Sequence, residues 1–176
     1  FLAESTVAFI DEPGERPFAA FINFVEPHFP FEGLPERLVS QYRQVAREIA
    51  APGDTSNLRS SGNVSAPVAD HVEKLAQYLA AVTLVDEQVG RLLDALEGRD
   101  LLNNTLIVFT SDHGHQTGQY GLYGKGNSTI PQNLYQDSID IPLIIYGPER
   151  LVAAGQVRNE FVNLYDLFPT LAELAG

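Results

Sequence analysis

The chain has 176 residues, 44% of them hydrophobic, so it can bury one core of ordinary size, and one domain or a large part of one is expected. A formal net charge of −12 with only 11 Lys and Arg argues against a nucleic-acid or anionic-membrane surface, because neutralising phosphates takes clustered cations. The absence of cysteine rules out a disulfide framework and a thiolate metal site, and no apolar run approaches the ~18 residues of a membrane span.

The opening "FLAESTVAFIDEPGERPF" has no basic n-region and sets Glu4 where a signal peptide would be apolar, so the chain is expected to begin inside a larger protein. The closing Gly176 suits the C′ position of a helix and reads likewise as a cut at an element boundary. After a short helix, residues 17–25, "PFAAFINFV", are apolar on both faces and predict a buried strand that stops at Pro27. Residues 31–69 read as a variable insert, with a short helix near 38–49 and then a Ser/Gly/Asn/Pro-rich loop.

The clearest helix follows. Val72, Leu75, Leu79, Val82, Val85, Val89, Leu92, Leu93 and Leu96 recur at threes and fours, with Asp70 and Glu73 as a capping box and Gly98 as the stop. "TLIVFT", 105–110, then reads as a central parallel strand, and "IPLIIYG", 141–147, as a third such run. This order of strand, long helix, strand and strand predicts an α/β fold, a mostly parallel sheet flanked by helices.

Ligands bind outside the carboxyl ends of strands in such sheets, and two polar bursts, "EPHFP" and "SDHGH", each follow a predicted strand. His28 and the Asp112–His113 pair could therefore face one crevice. A carboxylate beside an imidazole suits a divalent cation, provided a turn relaxed by Gly114 lets both reach one ion, and further ligands must come from elsewhere. The plainer account has Asp112 capping the turn and His113 bonded to a backbone carbonyl. Lys125, after the glycines of "GQYGLYG", could reach an anion beside the metal or be a solvated surface lysine. His28 could be a structural histidine, His71 reads as the first turn of the long helix, and His115 lies near the site without a defined task.

Taken together, "PFAAFINFVEPHFPF", the 78–114 block ending in "TSDHG", "GLYGKGN", "QNLYQDSIDIPLIIYGP" and "NLYDLFPTLAELAG" resemble the sulfatases of the alkaline-phosphatase-like superfamily. The resemblance implies one partial sulfatase catalytic domain over 1–176. It also implies a calcium-dependent hydrolase of sulfate esters, another divalent cation being the alternative, whose nucleophile is a formylglycine made in a C/S-x-P-x-R motif. That motif, and the paired aspartate that completes the metal site, are absent from this chain. By the same resemblance Asp112 and His113 match metal ligands, while His28 and Lys125 match catalytic groups on the sulfate and its bridging oxygen. His115 is carried as a substrate-binding candidate, and Tyr120 stands where many relatives have a histidine. The isolated chain is expected to be inactive.

Two rival readings are a phosphodiesterase or phosphonate monoester hydrolase of the same superfamily, and an inactive sulfatase-like protein that binds sulfated glycans. Family members are commonly periplasmic, secreted or lysosomal. Three Asn-x-Ser/Thr triplets, at Asn63, Asn103 and Asn127, are weak support for such a compartment.

Overall fold

The computed structural model describes the chain except residues 1, 13, 15, 51–58, 61–69 and 130, and at 59–60 it describes the backbone alone. In order the elements are α1 (Leu2–Asp11), α2 (Glu36–Ile49), β1 (Arg59–Ser60), α3 (His71–Gly98), β2 (Ile107–Thr110), β3 (Gln116–Thr117), β4 (Leu122–Gly124), α4 (Gln136–Ile139), β5 (Leu143–Tyr146) and α5 (Leu164–Ala175). Short 3₁₀ turns lie at Leu102–Asn104, Gln119–Gly121 and Gly126–Ser128.

The core lies between the two helices that the sequence pattern favoured. Leu38, Val39 and Ala46 of α2 pack with Leu75, Ala76 and Ala80 of α3, and each is at most 5% exposed. Alanines on the α3 side let the helix backbones approach closely, whereas Val82, part of the predicted stripe, is 44% exposed. Polar contacts rim this core. Arg37 grips Glu87 through two bonds of 2.7 and 2.6 Å, Tyr42 shares a hydrogen bond of 2.6 Å with Thr83, and Arg43 bonds both Glu73 and Glu36. Ala3, Thr6 and Ile10 are the buried residues of α1.

The ends of α3 differ from the expected caps. Asp70 adopts a left-handed conformation (φ 55°, ψ 52°) with no side-chain cap, and Glu73 turns to Arg43 instead. The charge-assisted pair with a guanidinium outcompetes the capping box for that carboxylate. At the far end the left-handed residue is Asp100 (φ 58°), with Leu101 N–H bonded to Leu96 O at 2.8 Å and Asp100 N–H to Glu97 O at 2.9 Å. This is a Schellman closure two residues beyond Gly98.

The class is the expected α/β one, but the strands pair differently from the parallel reading. β2 and β5 form an antiparallel ladder running from Ile107↔Tyr146 to Thr110↔Leu143. A second sheet has the order β1-β4-β3, with β1 parallel and β3 antiparallel to β4. Residues 17–25 form no strand, and Phe21 is 82% exposed. A both-faced apolar run becomes a strand only where another strand meets its backbone groups, and no such partner exists among the described residues. α5 carries the capping box of Asn163 and Asp166, yet none of its residues is buried.

Candidate functional site

The two polar bursts meet through aromatic rings. Phe31 closes the "EPHFPF" turn, is 5% exposed, and holds a left-handed conformation (φ 61°). Its ring lies edge-on to Tyr78 of α3 (centroids 5.8 Å apart) and to His115 (6.1 Å). His115 stacks on Tyr78 and meets Tyr123 of β4 edge-on at 5.6 Å. Lys74 of α3 anchors the same turn, donating to Pro30 O at 3.2 Å beneath the Phe29 ring. His28 therefore sits three residues before one ring of this cluster, His113 two before another, and Lys125 two after a third.

The His115 imidazole is pushed down to about 4, first by burial and then by its electrostatic neighbours His113, His28 and Lys125. All three predicted cationic or ionisable groups are thus within electrostatic reach of one ring. His115 is held neutral at ordinary pH, which suits a packing or hydrogen-bonding role rather than an anion-pairing one.

Asp112 and His113 lie just before His115 in the chain. His113 Nδ1 lies 2.9 Å from Gly114 O, a group that only accepts, so Nδ1 is the donor of this bond. His113 Nε2 is 3.4 Å from Asp112 Oδ2, and the Asp112 side chain is 82% exposed. An imidazole nitrogen and a carboxylate oxygen thus lie side by side, the two ligand types that a divalent cation accepts. Both local accounts from sequence are therefore present: His113 bonds a carbonyl, and Asp112 Oδ1 accepts from His113 N–H at 3.0 Å, while their remaining donors are free to ligate. No cluster of three or more His, Asp or Glu occurs among the described residues, so the pair can supply only part of a metal site.

Gly114 works here by close approach and not by conformational freedom. Its N–H donates to Ser138 O at 3.0 Å, and a Cβ would lie 2.2 Å from the Asp137 carbonyl oxygen. Lys125 is half-buried at the end of β4, and its ammonium has no ion pair among the described residues. His28 is exposed, with Nδ1 2.5 Å from Phe29 O, and lines a cleft of about 280 Å³ together with Glu26, Phe31, Glu32 and Ala81.

Sequence reasoning missed Tyr78, which falls off the apolar stripe, as well as the parts played by Phe31, Tyr123 and His71. His71 does begin α3, but it is only 4% exposed, lies edge-on to Tyr123 at 6.2 Å, and packs against Gly118. Burial lowers its pKa and raises those of Tyr78 and Tyr123. Both ring nitrogens of His71, Nε2 of His115, the Gln116 amide and the Tyr123 hydroxyl are buried with no hydrogen-bond partner among the described residues.

Comparison with known proteins agrees with this architecture. An arylsulfatase of Clostridium perfringens is 32% identical over 174 residues, covering 91% of this chain and 34% of that protein. Human iduronate 2-sulfatase is 35% identical over 142 residues, 65% of this chain and 25% of that protein. Among solved structures, a putative sulfatase from Bacteroides fragilis superposes with a TM-score of 0.77 at 27% identity, covering 99% of this chain and 36% of that one. The phosphonate monoester hydrolase of Agrobacterium radiobacter shares the fold, with a TM-score of 0.74 at 24% identity, covering 98% of this chain and 37% of that one. The chain spans about a third of the length of the arylsulfatase it matches. The sulfatase family profile matches residues 1–176 throughout, and the chain belongs to the sulfatase family.

Proposed function

We propose that this chain forms one wall of the active site of a metal-dependent sulfatase, which hydrolyses sulfate esters with a formylglycine nucleophile supplied from outside these residues. The observation that supports the reading is the ring cluster of Phe31, Tyr78, His115 and Tyr123, which brings together the segments that carry His28, His113 and Lys125. Asp112 and His113 would hold the cation, calcium by family resemblance, through Oδ2 and Nε2. A bound divalent cation would neutralise sulfate oxygens and favour the ionised nucleophile.

The remaining chemistry belongs to the chain's own side chains. Lys125 is the unpaired cation for the sulfuryl oxygens and the bridging oxygen. His28, exposed and lining its cleft, would donate to the departing alcohol oxygen. Each such contact is typically worth roughly 10²- to 10³-fold in rate. His115 bears on the substrate only indirectly, as the neutral ring against which these groups are arranged. A periplasmic, secreted or lysosomal setting accords with the family resemblance, and no described helix is long and apolar enough to cross a membrane.

The test uses the full-length polypeptide on an aryl sulfate and on the matching phosphonate monoester. Lys125→Ala and His28→Ala should each lower kcat/KM on the sulfate by about 10²-fold or more, and a calcium chelator should abolish turnover. Unchanged turnover in both variants removes these residues from the mechanism. A preference for the phosphonate would move the protein to the phosphonate hydrolases, whose fold it shares. The 176-residue chain by itself should not turn over either ester, and metal-dependent hydrolysis by that purified chain would sink the shared-site reading.

A further inference from the structure

Lys74 occupies a place that its own helix does not explain. It is the fourth residue of α3, its N–H bonded to Asp70 O at 3.0 Å, and there the positive end of the helix dipole disfavours a cation. The acid beside it, Glu73, is held by Arg43, and Lys74 forms no ion pair among the described residues. Its half-buried side chain turns instead to the "EPHFPF" segment. The ammonium donates to Pro30 O at 3.2 Å and lies 5.5 Å from the centroid of the Phe29 ring.

That contact falls on the two residues that follow His28. The His28 N–H donates to Val25 O at 3.0 Å, and its Nδ1, 2.5 Å from Phe29 O, donates to that carbonyl, a group that only accepts. Nε2 is then the ring nitrogen left for a substrate oxygen. The carbonyl that aims the imidazole belongs to Phe29, whose ring meets both the Lys74 ammonium and, edge-on at 5.6 Å, the buried Phe31 ring. Among the described residues, Lys74 supplies the one hydrogen bond between residues 28–30 and α3.

We propose that Lys74 is a positioning residue for His28: by holding Pro30 O and the Phe29 ring to α3, it fixes the carbonyl that aims the imidazole at the departing alcohol oxygen. The proposal rests on the hydrolase reading for the task of His28. Lys74 acts through His28 and not on the substrate, so its removal should matter only where His28 does. A misplaced proton donor costs rate steeply, and the need for its proton grows as the leaving group becomes more basic.

The experiment measures kcat/KM of the full-length polypeptide for phenyl sulfate and 4-nitrophenyl sulfate, the first with the more basic leaving group. The proteins compared are wild type, Lys74→Met, His28→Ala and the double variant. Methionine keeps an unbranched stem and a good helix propensity while removing the charge and the donor. Lys74→Met should lower kcat/KM about tenfold on phenyl sulfate and by less than about threefold on 4-nitrophenyl sulfate. Added to His28→Ala, it should change neither value further. Both esters are read on one preparation, so incomplete folding scales them alike and leaves their ratio untouched. An equal loss on the two esters, no loss at all, or an undiminished loss in the His28→Ala background overturns the role. If the wild type hydrolyses neither ester, the hydrolase reading has failed. Long-range nitrogen–proton NMR of the His28 ring, which reads the nitrogen that carries the proton, then decides the positioning. An imidazole held with Nδ1 protonated in wild type and averaged between tautomers in Lys74→Met upholds it; the same pattern in both proteins overturns it.

Discussion

His115 stacks on Tyr78 with centroids 5.4 Å apart and planes 12° from parallel, joining the long helix to the turn that carries Asp112 and His113. If this contact orients the site by packing, ring shape matters more than the imidazole nitrogens. Tyr78→Ala should destabilise the fold by about 3 kcal/mol, whereas His115→Phe, which keeps a ring, should cost far less. Denaturant midpoints at constant slope measure both. A His115→Phe loss as large as that of Tyr78→Ala would show that a polar contact of His115 dominates.

Tyr123 extends the same cluster, and its hydroxyl is buried without a partner among the described residues while the residue is 2% exposed. Removing an unsatisfied buried hydroxyl relieves a desolvation cost without opening a large cavity. Tyr123→Phe should therefore leave stability unchanged or raise it by up to about 1 kcal/mol. Destabilisation beyond that in thermal unfolding would reveal a hydrogen bond for this hydroxyl.

Gly114 faces the Asp137 carbonyl so closely that a methyl group has no room, at 2.2 Å. That neighbour is backbone and cannot swing away as a flexible side-chain end could. Gly114→Ala should break the bond to Ser138 O, shift the Asp112–His113 pair, and cost roughly 1–3 kcal/mol. Calorimetric titration of the full-length polypeptide with calcium should show weakened binding, and unaltered stability together with unaltered binding would contradict the packing argument.

What the sequence made legible follows the range of the interactions involved. α2, α3, β2 and β5 were visible because an apolar period of 3.6 or a run of β-branched residues is written locally. His28, Asp112 and His113 drew notice as polar residues right after an apolar run, whereas Lys125 was singled out by the glycines before it and by the family resemblance. Long-range partners were not. The antiparallel β2–β5 pairing, the exposure of residues 17–25, the diversion of Glu73 to Arg43 and the burial of His71 each depend on a residue distant in sequence. Tyr78 illustrates the limit best, since a tyrosine off the apolar stripe carries no local sign that it will support His115.

The α2–α3 contact lets magnitudes be compared within one interface. Leu38 is 1% exposed in the core cluster, while the Arg37–Glu87 pair beside it stands in solvent. Leu38→Ala should cost about 2–5 kcal/mol through lost transfer energy and a residual cavity. Arg37→Ala should change stability little despite its two short hydrogen bonds, because water screens an exposed pair and ordering two long side chains opposes it. Urea unfolding of the two variants checks this ranking, and the reverse order would mean that the pair is shielded from solvent.

His71 supplies the acid side of the stability profile. Burial against Gly118 and Tyr123 holds its pKa below the ordinary 6.5, so the folded state keeps it neutral where the unfolded state would protonate it. Below that pH the unfolded chain binds more protons, and stability rises with pH wherever that holds. The contribution is therefore complete above about pH 6.5 and is lost as pH falls toward the folded pKa. His115 acts in the same direction down to about 4. His71→Gln, which cannot titrate, should flatten the fall in melting temperature between about pH 7.5 and 5 relative to wild type while leaving the His115 part in place. An identical fall in the variant would mean that His71 reaches solvent and titrates alike in both states.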